Sequence, residues 1–439
     1  MKRKLFIFLV LFASFMALAQ SGDAYLKISD YGSGVVRLAV PNFVPRFDNY
    51  GAEWDSTIAI LSSVLRNDLR FSPFIDVIDS ALYPQDNVVN PKDMDPFEWA
   101  SINAHAIALG QFDTDGVRVS VKIGLYSVNS KAKLYKHDYT ANAVQARRLM
   151  HRISDDIHKA LTGEEGVAQT QISFISNRWG DDNKDIYICD YDGYAQRRIT
   201  ESLSIVLSPD WSPGGDKISY TSYKNENPDL YIYDIYKERE SIIAEHPGPN
   251  ITGTWSPDGR TICYSRISDA NSELFLMDVR TGEESRLTFT PYSIENSPSF
   301  SPTGREIAFT SDRSGSPQVY IMDVMGTHCR RVTYEGRYND GVDWSPKGDR
   351  LCYTSRTDQG FQIAVINVAY GDPVYVTSVG SNENPYWAPD GYHVVFSSNR
   401  TGRYQLYTMN WDGTDVRRIT SRGTNTAPTW SSRYRWSFD

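Results

Sequence analysis

"WSPDGRTICYSR", Trp255 to Arg266, reads as an aromatic anchor, a tight turn and an alternating strand. Proline at the second turn position presets φ, and the following Asp-Gly closes a hairpin. The stretch holds no histidine, and its one cysteine sits in apolar company. Near-copies recur as "WSPGGDKI" from Trp211, "FSPTGREI" from Phe300, "WSPKGDRL" from Trp344 and "WAPDGYHV" from Trp387. A degenerate sixth, "WSSRYRWS", begins at Trp430, and successive anchors are 44, 45, 44, 43 and 43 residues apart.

Each unit reads as four strands. Between Pro298 and Glu335 they are "PSF", "REIAFTS", "QVYIMDV" and "CRRVTYE", separated by polar turns. Alternating β-branched and aromatic residues bury one face of each strand, and the anchor supplies area for packing sheet on sheet. Such a sheet cannot hide both faces alone, so units must stack, and four strands per 40–45 residues is a propeller pattern. "ISFISNRWGDDNKDIYICDYDGYAQRRIT", residues 172–200, supplies three strands without an anchor, and Trp430 supplies an anchor strand without the rest. The expected fold is therefore six four-stranded antiparallel blades over residues 166–439, with the C-terminal strand closing the ring and removing exposed edges.

Residues 20–165 follow another grammar and predict a small α/β domain. "VVRLAV" (35–40), "FIDVID" (74–79), "AIALGQF" (106–112) and "GVRVSVKIGLYS" (116–127) read as strands. Trp54, Ile58, Leu61, Leu65 and Leu69 recur at helical spacing, "DPFEWASINA" reads as a short helix, and Leu149, Ile153, Ile157 and Leu161 stripe another from about Asn142. Before them, Lys2, Arg3 and Lys4 precede an apolar run and a small-residue site at Ala17-Leu18-Ala19. Residues 1–19 thus read as a secretory signal peptide cleaved after Ala19, with no direct membrane insertion of the mature chain. Losing those three positive charges takes the net charge from −9 to −12. An acidic chain repels phosphate backbones, which disfavours nucleic acid.

The four cysteines read as small buried hydrophobes, since Cys263 and Cys352 hold equivalent places in non-adjacent units, too far apart to bridge. No G-x-S-x-G, H-E-x-x-H or phosphate-binding loop occurs, so the chain reads as a non-enzyme without cofactor or metal. His151 and His158 lie near one helical face and read as a solvated surface pair. "DYDG" (190–193) and "NWDGTD" (410–415) fall where other units have plain hairpin turns, and read as turns rather than calcium loops.

The variable stretches before the anchors stand out: "HPGPNITGTW" from His246, "SIENSPSF" from Ser293, "RYNDGVDW" from Arg337 and "SNENPYW" from Ser381. Polar turns at strand starts need no partner to explain them. Convergence of several on one face favours a protein-binding mouth.

The order of parts resembles the TolB family of the periplasmic Tol–Pal cell-envelope system. The resemblance rests on "LRNDLRFSPFIDVID", "WASINAHAIALGQF", "ALTGEEGVAQTQISFIS" and "CDYDGYAQRRIT" together with the reiterated anchor unit, and covers essentially the whole mature chain. It implies a monomeric, non-enzymatic periplasmic adaptor supporting outer-membrane integrity and constriction at division. The propeller mouth would receive a Pal-like peptidoglycan-associated lipoprotein, with His246, Asn250, Glu295, Asn296, Asn339, Asp340, Glu383 and Asn384 as the facing residues. A TolA-like inner-membrane-anchored protein would engage the N-terminal segment Tyr25, Leu26, Lys27, Ile28, Ser29, Asp30, Tyr31, Gly32, Ser33 and Gly34. Two alternatives remain: the propeller of a peptidase, which would need a hydrolase domain after the last blade, and a glycan-binding propeller.

Overall fold

A computed structural model describes residues 34–46, 55–85, 88–180, 183–201, 204–268 and 271–433. The expected signal peptide, Trp54 and the segment Tyr25–Ser33 lie outside the described residues.

The first part is a mixed sheet. Strands β1 (Val36–Ala39), β2 (Val44–Pro45), β3 (Ile75–Val77), β4 (Ala106–Thr114), β5 (Arg118–Ser127) and β6 (Lys133–Asn142) are ordered β3-β1-β4-β5-β6, with β2 also pairing β4. β1 runs parallel to β3 and β4, and β4, β5 and β6 alternate. Helices α1 (Asp55–Phe71) and α3 (Ala146–Thr162) cover one face, and the short α2 (Pro96–Ser101) lies on the other, burying Trp99. Leu61, Leu65 and Leu69 of α1 meet Leu149, Ile153, Ile157 and Leu161 of α3 in one core, as their spacing requires. α3 starts four residues later than expected, after a single 3₁₀ turn at Ala143–Gln145. It stops at Gly163, whose φ of +77° suits a glycine C-cap. β6 was not legible: "KLYKHDYTAN" is a charged, half-exposed edge strand with little apolar alternation.

Six four-stranded sheets follow, each ordered consecutively from an inner strand outwards. The inner strands of blades one to five are Val206–Trp211, Asn250–Trp255, Glu295–Phe300, Asn339–Trp344 and Asn382–Trp387. Blade six takes its inner strand, Asn425–Trp430, from the C-terminal end and pairs it antiparallel with Gln171–Ser176. The ring closes as expected. Trp211, Trp255, Phe300, Trp344, Trp387 and Trp430 are all under 10 % exposed and pack between neighbouring sheets.

Inner strands run from one face of the ring to the other and second strands return. Turns after the first and third strands therefore share one face, here termed proximal. Connections into each inner strand share the distal face with the turns after the second strands. The α/β domain sits on the proximal face. Phe71 of α1 stacks on His393 of blade five (centroids 4.0 Å apart, planes 12° apart), and His393 Nε2 lies 2.7 Å from the Phe71 carbonyl oxygen. Phe74 meets Tyr392 edge-on, Lys347 pairs with Glu164, and Arg433 pairs with Asp155.

Two expectations are corrected here. His151 is 1 % exposed and His158 is half-buried against Ser72 and Glu164, so they are packed at the domain junction and are not a solvated pair. Helical spacing showed that they share a face but not that a second domain covers it. Cys189, Cys263 and Cys352 are buried, but Cys329 is exposed on a proximal turn of blade three, where the short outer strand gives it no cover.

Candidate functional site

The six inner strands wall a central channel, and their residues fall into six ranks. The first rank is Val206, Asn250, Glu295, Asn339, Asn382 and Asn425, each at most 1 % exposed. Its amides pin blade to blade: Asn339 Nδ2 donates to Gln318 Oε1, Asn382 to Gln362 Oε1 and Asn425 to Gln405 Oε1, at 2.8–2.9 Å. Asn250 Nδ2 donates to the carbonyls of His246 and Gly248. Glu295 holds the guanidinium of Arg313 at 2.9 Å and accepts from Ser311.

Asn250, Glu295 and Asn339 therefore do not face a partner in this structure. Their polar ends are consumed inside the ring, since a buried amide or carboxylate must find a partner there. His246 does not line the channel either; it is half-exposed, with Nε2 2.9 Å from Glu284 Oε1.

Between second and fifth ranks every inner strand slips register by one residue. That bulge puts the third-rank residues at positive φ: Ser208 at 48°, Ser297 at 48°, Gly341 at 63°, Asn384 at 54° and Ala427 at 48°. Only glycine takes this conformation freely, and repeated non-glycine cases are a mark of sites where the backbone is held for use. The bulge turns these residues into a distal chamber of about 320 Å³, lined also by Asn296, Gly253, Val342 and a rank of prolines at 209, 298, 385 and 428. Asn296 and Asn384, both expected from sequence, are brought together here. Asp340 and Glu383 flank the chamber half-buried. Asp340 accepts from Tyr338 and Ser297, and Glu383 from Tyr404 and Ser381.

The fifth rank forms a waist: Asp210, Thr254, Ser299, Asp343, Tyr386 and Thr429. Tyr386 reaches across to donate to Asp210 Oδ1 at 2.8 Å, and the Trp255 amide donates to Oδ2. Asp343, three blades on, accepts from Ser299 and from the Trp387 amide. Burial pushes both carboxyls up to about 7, against these hydrogen bonds, and Asp210 raises Asp343 further. Beyond the waist a second chamber of about 290 Å³, lined by the anchor aromatics and Pro213, Pro257, Pro302, Pro346 and Pro389, faces the α/β domain.

Of the third rank sequence reasoning found only Asn384, and it missed the waist. The signal was present, because both are read by counting back from the anchor, three residues to the bulge and one to the acids of "DW" at 210–211 and 343–344. The expected pairs in blades two, three and four instead sat one or more residues too early. The distal face also carries exposed apolar side chains not anticipated: Tyr292, Phe289, Tyr334, Val379 and Trp179, each at least 60 % exposed.

Residues 158–434 match the family model described as the TolB beta propeller domain, and residues 24–134 that of the TolB amino-terminal domain. A Tol-Pal system protein TolB of Geobacter sulfurreducens is 38% identical over 203 residues, 46% of either chain. One of Desulfosudis oleivorans is 33% identical over 204 residues, 46% of this chain and 45% of that one. The matched stretch thus spans about half the length of these curated relatives. The crystal structure of TolB from Acinetobacter baumannii is alike in fold, with a TM-score of 0.78 at 23% identity over 91% of this chain and 97% of that one.

Proposed function

This chain belongs to the TolB family, and from that premise we propose that it is a non-enzymatic periplasmic adaptor of the Tol–Pal cell-envelope system. Its distal mouth takes a Pal-like peptidoglycan-associated lipoprotein, and its N-terminal segment, residues 25–34, takes a TolA-like inner-membrane-anchored protein. Linking the two would support outer-membrane integrity and constriction at division. The observation that carries the mouth assignment is the bulge rank. Five positive-φ residues on five blades, four of them not glycine, point into one open chamber, rimmed by exposed aromatics, while the opposite mouth is faced by the chain's own domain. Rigid backbone presentation beside exposed aromatic anchors is the anatomy of a protein-binding site. Among the described residues no helix is long and apolar enough to cross a membrane.

Isothermal titration of the mature chain against the source's own Pal-like protein tests the reading. Asn384→Ala and Tyr292→Ala should each weaken binding about tenfold or more with the melting temperature unchanged. A chain starting at Val35 should keep that partner and lose the TolA-like one. Tight binding of peptidoglycan fragments at the mouth, with no affinity for the lipoprotein, would sink the adaptor in favour of a glycan-binding propeller.

A further inference from the structure

At the domain junction His151 of α3 is enclosed by groups from three elements. Its Nδ1 lies 2.8 Å from Asp68 Oδ2 on α1. Tyr191, just beyond the third strand of blade six, meets the imidazole edge-on, with centroids 5.7 Å apart and planes at 80°. The same Tyr191 donates its hydroxyl to Asp68 Oδ1 at 2.7 Å. A carboxylate oxygen of Asp192, in the proximal turn of blade six, lies within 4.8 Å of both Asp68 and the imidazole. The other ring nitrogen, Nε2, is buried with no hydrogen-bond partner among the described residues.

We propose that His151, carried as an imidazolium between Asp68 and Asp192, is a proton-dependent clasp that locks the propeller onto the α/β domain.

Charge counting supports the proton. The charges acting on the ring are the acids Asp68 and Asp192 and the base Arg147; the ring acts in turn on Asp190, as does Arg148, and Arg417 of blade five acts on Tyr191. At the ring the acids outnumber the base, and a proton on His151 cancels the excess. Burial alone would drive that proton off, but the Asp68 carboxylate, with smaller help from Asp192, holds it on and lifts the titration above that of an ordinary histidine. A divalent ion fits less well. The oxygens of Asp68 are taken by His151 and Tyr191, and Asp192 is paired with Arg147. A guanidinium on that carboxylate would repel a metal. The sign follows from linkage: a histidine whose pKa is raised by folding contributes stability below its unfolded pKa and loses it as pH climbs through the folded value. The clasp holds below the ordinary histidine value and is released as pH climbs through the raised folded one.

The inference is independent of the partner reading. It is tested on the full mature chain by electron–electron distance measurement between two spin labels. One sits on exposed Cys329 in the propeller and one on Val117→Cys, at the exposed β4–β5 turn; the buried cysteines stay unlabelled. A single narrow distance distribution is expected at pH 6, broadening at pH 9.5. His151→Gln should be broad at both. Asp192→Asn should shift the transition to lower pH, and it decides the matter if His151→Gln does not fold. The His151 resonance should titrate above the ordinary histidine value. A pH-invariant distribution in the parent, a variant that tracks the parent, or one equivalent of divalent metal held through His151 overturns the proposal.

Discussion

At the scale of single residues, the inner strands assign different tasks to neighbouring positions. First-rank amides bind blade to blade, third-rank residues are strained into the chamber, and fifth-rank groups close the waist. Gly253 marks the limit of that packing. A Cβ there would fall on the Cys263 carbonyl oxygen and 2.7 Å from Pro298 Cγ. Because the obstacle includes backbone, Gly253→Ala is expected to cost about 1–3 kcal/mol, read as a lower urea midpoint with an unchanged slope. Asn425→Ala should cost about 1–2 kcal/mol, since it leaves Gln405 Oε1 with Thr420 as its other donor and takes from Arg178 the amide oxygen to which it donates. An equal midpoint to the parent would mean these amides are not the pins described.

At the scale of elements, the anchor hairpin was the legible part. Trp, Pro and Gly at fixed offsets announced the strand, the turn and the spacing, and the truncated ends announced the shared sixth blade. The α/β helices were legible where apolar stripes were dense. β6 escaped because a charged edge strand shows little buried alternation, and the bulges escaped because their signal is a fixed offset from the anchor and not a composition. The candidate site was legible only in part for the same reason. Asn296 and Asn384 point into the chamber, whereas Asn339 is spent on the preceding blade, Asn250 on the connection that leads into it and Glu295 on Arg313 and Ser311 of its own blade, bonds that composition cannot reveal. The sixth blade makes its own prediction. Trp430 is 3 % exposed and its indole nitrogen donates to Thr170 at 2.6 Å. Trp430→Ala should lose about 3–5 kcal/mol. Removing residues 425–439 should expose the Gln171–Ser176 edge and yield aggregation instead of a cooperative unfolding transition.

At the scale of the whole molecule, stability depends on protons stored at two places, the waist and the domain junction. Burial holds Asp210 and Asp343 up to about 7, and lifts Asp155 to about 6 against the pull of Arg433. A carboxyl whose pKa is raised by folding costs stability as pH rises from its unfolded value, about 4, to its folded value, here about 6 to 7. The raised His151 acts in the same direction, while His158, driven down mainly by burial, opposes it below pH 6.5. The folded chain thus binds more protons than the unfolded one near neutrality, and stability should fall by on the order of 2 kcal/mol or more between pH 6 and 8.5. Calorimetry giving a higher melting temperature at pH 8.5 would refute the assignment of these protons. The closure of the ring has a further consequence, in time. Blade six joins residues about 260 positions apart in the chain, through Gln171 to Ser431 and Thr170 to Trp430. A chain made from its N-terminus holds three strands of that blade from early on and cannot finish it until Asn425–Trp430 has been made. The ring stays open until that strand arrives, and pairing across so long a span is expected to make closure the slow step of folding.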